Sequence, residues 1–200
     1  MRIETQSRRC WIGSVPPDCR IACSFGLGCG RSLGDLPAGR GMTRAEDIPL
    51  MVLEGPSRLA DADPEGLVIK LLAPEGASHH ASLAAAGFEA PEEYFQQLMT
   101  TGLLRGAGVR CYLGEFDGEP VTTGVGVTFG DSVGIFNIAT PPGHRRHGYG
   151  SAVTARTIRD GLSCGARWAW LQSSPAGYPV YQRLGFQTVE SWHCWLATGI

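Results

Sequence analysis

Arg145-Arg146-His147-Gly148-Tyr149-Gly150 follows a Pro-rich link, Pro141-Pro142, and precedes a stretch with helical periodicity. Two guanidinium groups and two glycines at the start of a helix describe an anion site. The first turn of a helix has unpaired N–H groups and a partial positive charge, and glycine lets a phosphate approach the backbone. Charge-assisted hydrogen bonds contribute roughly 1.5–3 kcal/mol each, so three or four of them supply most of the attraction for a pyrophosphate. A Gly-x-Gly turn by itself also serves close packing or a tight bend. The spacing lacks the Gly-Lys-Ser/Thr ending of a P-loop. It also follows a strand that closes a meander, where a dinucleotide fingerprint would open a parallel βαβ unit.

The elements that must carry this turn are legible on both sides of it. Leu67 to Leu72 is an aliphatic, β-branched run bounded by Gly66 and Pro74 and reads as a strand. Ser78 to Ala86 and Pro91 to Thr100 read as two helices, with Gly87 as a stop and Pro91 as a first-turn proline. Val109 to Phe116, the turn Asp117-Gly118, and Val121 to Phe129 form a hairpin, and Gly130-Asp131 leads into a third antiparallel strand, Ser132 to Ala139. Ala152, Ala155, Ile158 and Leu162 mark one face of a helix from about Tyr149 to Ser163, ended by Gly165. A short strand from Trp168 to Gln172, a short helix from Pro179 to Leu184, and one or two strands from Phe186 to Leu196 complete the pattern. The layout is mixed α/β without an internal repeat.

Ile138 to Ser151 resembles the cofactor-binding motif of the GNAT acyltransferases: a strand end, a proline, an Arg/Gln-x-x-Gly-x-Gly/Ala turn and a helix. Ser174 to Phe186 resembles the family's later motif, a short helix ending in Tyr-x-x-x-Gly-Phe, here Tyr181-Gln182-Arg183-Leu184-Gly185-Phe186. Two motifs in this order are more specific than either alone. The resemblance covers roughly Gly66 to Leu196. It implies a central, mostly antiparallel twisted sheet flanked by helices, and transfer of an acetyl group from acetyl-CoA, as co-substrate, to an amine that attacks the thioester directly.

The resemblance also assigns residues. Ile138, Ala139 and Thr140 would face the pantetheine arm, and an N–H near Ile138 would meet the charge that develops on the thioester oxygen. Arg145, Arg146, His147, Gly148, Tyr149, Gly150 and Ser151 would hold the pyrophosphate. Ser174 stands where the family more often has Asn, and Gly177 where it has Ala; Ser174 can still hydrogen-bond the pantetheine. Tyr181 matches the position whose phenol serves the leaving thiolate and is the residue expected to do so; a core tyrosine is the lesser alternative. An amine with a pKa near 10.4 is neutral in only about one molecule in 10³ at pH 7, so a base or water chain must help. Glu115, His144 and His193 are conceivable bases, and Asn137 can only orient one. His144 is expected beside the phosphates and Glu115 as a solvated strand residue.

Composition narrows the function further. Seventeen Lys plus Arg against nineteen Asp plus Glu give a net charge of −2, so the basic field of a nucleic-acid binder is missing. No apolar run reaches the roughly 20 residues of a membrane span, and Met1 to Arg9 lacks a signal-peptide core. A cytoplasmic protein with reduced thiols is expected, acting on a small-molecule or peptide amine, with no nucleic-acid or membrane partner. A homodimer through the Trp-rich C-terminal strands stays open. Residues 1–41 are rich in Cys, Gly and Pro without periodicity and are expected as an irregular lead before an acetyltransferase domain at 42–200.

Cys10, Cys19, Cys23 and Cys29 match no paired-knuckle zinc spacing, so no metal is expected. Trp168, Trp170, Trp192 and Trp195 are expected in the core or on a sheet face, His79-His80 as a surface pair at a helix start, and Cys164 as a packing thiol. Two alternatives remain: an acyl-CoA-binding GNAT-like module or regulatory subunit without turnover, and a regulatory domain organised by zinc at the cysteine-rich segment.

Overall fold

The computed structural model describes residues 21–24, 42–55, 59 and 64–197. The chain divides into two compact units, 48–191 and the segments 1–47 with 192–200. In the larger unit, antiparallel strands β4 (Leu67–Leu71), β5 (Val109–Phe116), β6 (Glu119–Phe129) and β7 (Ser132–Ala139) lie in sequence order. The Asp117-Gly118 turn, with both residues at positive φ, closes the β5–β6 hairpin as expected for this dipeptide. Beyond β7 the sheet continues with β8 (Trp168–Gln172), which runs parallel to β7, and then β3 (Ile48–Glu54), antiparallel to β8. The sheet is therefore mixed and mostly antiparallel.

β3 is an addition to the pattern expected from the sequence, which begins its strands at Leu67. Pro49 interrupts the run Ile48–Glu54 and masks its alternation, in which Met51 and Leu53 are buried, Leu50 and Val52 half-buried and Glu54 exposed. These two residues join Val133, Ile135, Ile158, Ala169, Leu171, Leu184 and Phe186 in the principal core cluster.

The helix between β7 and β8, α4 (Tyr149–Ser163), covers one face of the sheet. Ala152, Ala155 and Ile158 are buried on it, as the periodicity predicts, and Leu162 packs at the margin of the cluster. On the opposite face lies α1 (Ala77–Phe88), followed by α2 (Glu92–Leu98) and α3 (Thr101–Leu104). Gly87 does not stop α1. A Cβ there would come within 2.8 Å of the Ala139 side chain and 2.9 Å of the Thr140 backbone nitrogen, so the glycine permits close packing of α1 on the end of β7. The stop is Glu89, in the left-handed conformation with φ 54°. Thr100 ends the expected second helix by capping α3, its hydroxyl accepting from the Leu103 N–H at 3.2 Å.

His80 corrects the expectation of a surface pair: His79 is exposed, but His80 is fully buried. Its Nδ1 lies 2.7 Å from the Thr123 hydroxyl, which donates to the Tyr112 carbonyl at 2.8 Å. The hydroxyl's proton is thus committed, so Nδ1 carries a proton and donates, and Nε2 is left buried without a partner. Burial lowers the imidazole pKa from its ordinary value to about 4. The unfolded chain binds this proton below about pH 6.5 and the folded chain only near pH 4, so stability is full above 6.5 and falls as pH drops through that window. The loss expected from this residue is roughly 3 kcal/mol. Urea unfolding at pH 7 and pH 4.5 checks it: His80→Asn, which keeps a donor near the Nδ1 position, should flatten the difference.

In the smaller unit, β1 (Ile21–Ser24) and β2 (Met42–Arg44) both pair antiparallel with residues 193–197 of β9 (Gln187–Ala197). The carboxylate of Asp47 meets Arg44 at 2.9 Å and His193 Nδ1 at 2.9 Å. Both contacts hold its pKa below the ordinary carboxylate range, the His193 hydrogen bond most strongly. Of the four cysteines on which the zinc alternative rests, Cys10, Cys19 and Cys29 lie outside the described residues and Cys23 lies in β1. Among the described residues no cluster of metal-ligating side chains occurs, and no helix is long and apolar enough to cross a membrane.

Candidate active site

β7 and β8 pair only from Ser132↔Trp168 to Ile135↔Leu171. Past that rung the two strands separate, because β7 bulges. Thr123 of β6 pairs with Ala139 and Val125 with Phe136, so the single residue Gly124 stands opposite two, Asn137 and Ile138. Asn137 takes the left-handed conformation, φ 49°. The extra residue bends the end of β7, and beyond Ile135↔Leu171 no pairing joins it to β8, which leaves a gap in the ladder between them. Thr122 fixes that end by donating to the Ala139 carbonyl at 3.0 Å and meeting the Thr140 hydroxyl at 3.0 Å. Ala139 itself is buried against α1.

The turn follows. Arg146 (φ 67°) and Gly148 (φ 82°) are left-handed, with Gly148 as the cap of α4. The first amide of the helix bonded within it belongs to Ala152, which donates to the Gly148 carbonyl at 3.0 Å. The N–H groups of Tyr149, Gly150 and Ser151 have no carbonyl one turn behind them, and together with the left-handed turn they form an anion-binding concavity. Pyrophosphate chemistry fits this donor set.

The side chains divide this work unequally. Arg145 does not offer its guanidinium to the concavity. It donates to the Thr140 carbonyl at 3.2 Å, the Gly87 carbonyl at 2.8 Å and the Glu89 carboxylate at 3.0 Å, which fastens the turn to the end of α1. Arg146 is exposed beside the concavity. His147 stacks on Tyr149 with ring centroids 5.4 Å apart. The Tyr149 ring is buried and meets Phe116 at 5.9 Å, so only its backbone belongs to the turn. Ser151 is half-buried. Accordingly, Arg146→Ala is expected to weaken acetyl-CoA binding about tenfold at low salt and less at high salt. Arg145→Ala is expected to lower the melting temperature by about 4 °C, the equivalent of roughly 1 kcal/mol. Calorimetry at two salt concentrations and a thermal melt distinguish the two roles.

After β8 the chain enters α5 (Tyr178–Arg183). Ser174 organises its approach: its hydroxyl accepts from the Gly177 N–H at 3.2 Å and its carbonyl from the Tyr178 N–H at 3.0 Å. The hydroxyl proton of Ser174 is left available to another acceptor. Tyr181 and Ile138 both pack at the margin of the principal core cluster. Burial pushes the Tyr181 phenol up to about 12. Gly177 was not legible as part of this arrangement. A Cβ there would approach Tyr181 Cε2 to 2.9 Å, so the glycine leaves room for the ring.

The candidate bases have these surroundings. Glu115 pairs with Lys70, His144 lies 3.7 Å from Glu119, and His193 belongs to the smaller unit. Cys111 is buried with its thiol pushed up to about 12, chiefly by desolvation, which leaves it inert at neutral pH. Cys164, expected as a packing thiol, is instead exposed at the C-cap of α4. Trp192 is buried, while Trp168, Trp170 and Trp195 are half-buried in strands.

Comparison with solved structures finds the same fold. A GCN5-related N-acetyltransferase from Kribbella flavida superposes with a TM-score of 0.65 at 24% identity over 85% of this chain and 65% of its own. One from Sphaerobacter thermophilus gives a TM-score of 0.67 at 15% identity, over 91% of this chain and 62% of its own. A tandem GNAT protein from the clavulanic acid biosynthesis pathway gives 0.65 at 20% identity, over 90% of this chain and 64% of its own. This chain thus spans less than two thirds of the length of each of these proteins. Curated proteins include no significant match. The sequence profile of the Acetyltransferase (GNAT) family matches residues 77–186, which hold both motifs and strands β5 to β8, and the chain belongs to that family.

Proposed function

We propose that this protein is a cytoplasmic N-acetyltransferase that transfers an acetyl group from acetyl-CoA to an amine acceptor by direct attack on the thioester. The observation that carries the reading is the gap in pairing between β7 and β8, with the anion-binding turn of α4 following β7 and the helix of Tyr181 following β8. The neutral amine adds to the thioester carbonyl of acetyl-CoA, the C–S bond breaks as the carbonyl re-forms, the proton lost from nitrogen passes to water, and CoA leaves as its thiolate. The amides of Tyr149, Gly150 and Ser151, with Arg146, bind the pyrophosphate. Ile138, Ala139 and Thr140 flank the arm with backbone groups, and Ser174 offers its hydroxyl to an amide of the arm. In this reading the Ile138 N–H, beside the bulge at Asn137, stabilises the charge that develops on the carbonyl oxygen. Tyr181 donates a hydrogen bond to the departing sulfur.

Calorimetric titration with acetyl-CoA, followed by thiol release with a panel of amines, tests the reading. Saturable binding with amine-dependent thiol release is expected. Binding without release under any amine would leave an acyl-CoA-binding module, and no binding would remove acetyl-CoA from the function.

A further inference from the structure

The face of the sheet opposite α4 carries an aromatic pair at the gap. Ala169 and Leu171 belong to the core beneath α4, so the alternate residues of β8, Trp170 and Gln172, point to the other side. Val133 and Ile135 belong to the same core, so Phe136 also points to that other side. The Phe136 and Trp170 rings meet edge to face with centroids 5.3 Å apart. They do so over Gly134, where a Cβ would come within 2.8 Å of both rings, so this glycine lets the two aromatics lie down across the sheet.

The pair has a specific position. Ile135↔Leu171 is the last rung that joins β7 to β8, which makes Phe136 and Gln172 the first residues beside the gap. Phe136 is 38% exposed, an unusual state for a phenylalanine on an interior strand of a sheet. Gln172 holds its Nε2 buried without a hydrogen-bond partner. The cross-strand neighbours on β3 are Val52 beside Trp170 and Leu50 beside Gln172, both apolar. Farther along the face, Val52 and Trp168 line a cavity of about 680 Å³ that also takes in Glu54 and Arg167.

A pyrophosphate held at the start of α4 sends its arm into the gap from the α4 side, so an acceptor must reach the thioester from the side of Phe136. We propose that the acceptor is an amine carrying an aromatic group, whose ring lies on Phe136 and Trp170 while its nitrogen enters the gap. This rests on the acetyltransferase reading above. Two aromatic rings and an aliphatic neighbour offer a flat ring apolar and edge-to-face contact, and among the residues named on this face only Glu54, farther along, carries a negative charge to pair with a polycation. The orphaned carboxamide of Gln172 donates to a polar substituent on the ring or its linker.

The test compares 2-phenylethylamine, hexylamine and spermidine as acceptors in initial-rate thiol-release assays, with calorimetry of acetyl-CoA on the same preparations. 2-Phenylethylamine should exceed hexylamine about tenfold in kcat/KM and spermidine by more. Phe136→Ala should raise the KM for 2-phenylethylamine about tenfold, erase the preference and leave acetyl-CoA affinity unchanged. Phe136→Leu keeps an apolar side chain on this exposed position without the ring and should also lose the preference. A preference for spermidine, a Phe136→Ala variant with unaltered KM, or acetyl-CoA binding without turnover of 2-phenylethylamine would each overturn the aromatic acceptor. Loss of a dimer in Phe136→Ala would overturn it in favour of an interface between copies. Absence of acetyl-CoA binding is a different result, since it removes the acetyltransferase reading itself.

Discussion

Gly148→Val is expected to raise the dissociation constant for acetyl-CoA at least about a hundredfold, whereas Gly150→Ala should leave it within about threefold. The two glycines look equivalent in the sequence, and the structure separates them. Gly148 caps α4 at φ 82°, a region that a β-branched residue enters only with strain. Valine there would pull the turn toward a negative φ and swing the amides of Tyr149, Gly150 and Ser151 off a common point. Loss of two charge-assisted hydrogen bonds at roughly 1.5–3 kcal/mol each exceeds the 2.7 kcal/mol that a hundredfold represents. Gly150 is inside the helix, and a Cβ there would make ordinary contacts of 3.5 Å with Ile138 Cγ2 and the Thr140 hydroxyl. Calorimetry measures both affinities, and a thermal melt confirms that each variant is folded. Unchanged binding by Gly148→Val would move the pyrophosphate away from this turn.

The contrast shows what kind of information the sequence carries. The meander was legible because Asp117-Gly118 and Gly130-Asp131 are local turn chemistry and because Val121, Thr123, Val125, Val127 and Phe129 alternate within one strand. The face of α1 was not. His80, Ala81, Ala84 and Ala85 are its buried residues, and alanines beside an imidazole give almost no hydrophobic contrast with the exposed side. Small residues there let the helix approach the sheet, as the contact of Gly87 with Ala139 and Thr140 shows, and this approach depends on a strand some 50 residues away in the chain. β3 was missed for a related reason: it has five residues of pairing with β8 but a proline near its start and no partner nearby in sequence.

The site divides the same way. Arg145-x-x-Gly148-x-Gly150 is local, so its place at a helix start could be read directly. That Arg145 serves as a brace could not, because its acceptors, Gly87 and Glu89, are 58 and 56 residues distant. The bulge that opens the gap is likewise invisible in Phe136-Asn137-Ile138 alone; only the pairing of β6 with β7 reveals the extra residue. A motif therefore located the turn. The gap, which decides how acetyl group and amine meet, is a property of three strands together.

Tyr181→Phe should lower kcat by about 10²-fold or more while acetyl-CoA affinity stays within about threefold. The phenol is pushed up to about 12 by burial, so it remains protonated across the whole working range and always has a proton to donate. Its height on the pH scale also restricts what it does. An ordinary thiol has a pKa near 8.5, so complete transfer of the proton from this phenol to a thiolate is uphill by about 3.5 pH units, roughly 5 kcal/mol. Donation of a hydrogen bond to the sulfur as charge builds on it carries no such cost, and phenylalanine cannot make it. The pH profile of kcat should accordingly lack a limb from Tyr181 below about pH 10. Gly177→Ala provides a second reading, because its new Cβ would press on the ring at 2.9 Å from Cε2 and displace the hydroxyl without removing it. It should lower kcat by a smaller factor and be partly relieved where the ring can shift. Initial rates with the best acceptor, paired with calorimetry, measure both variants. A Tyr181→Phe enzyme with undiminished kcat would assign the ring to packing alone, against Phe186, whose ring centroid lies 5.9 Å away.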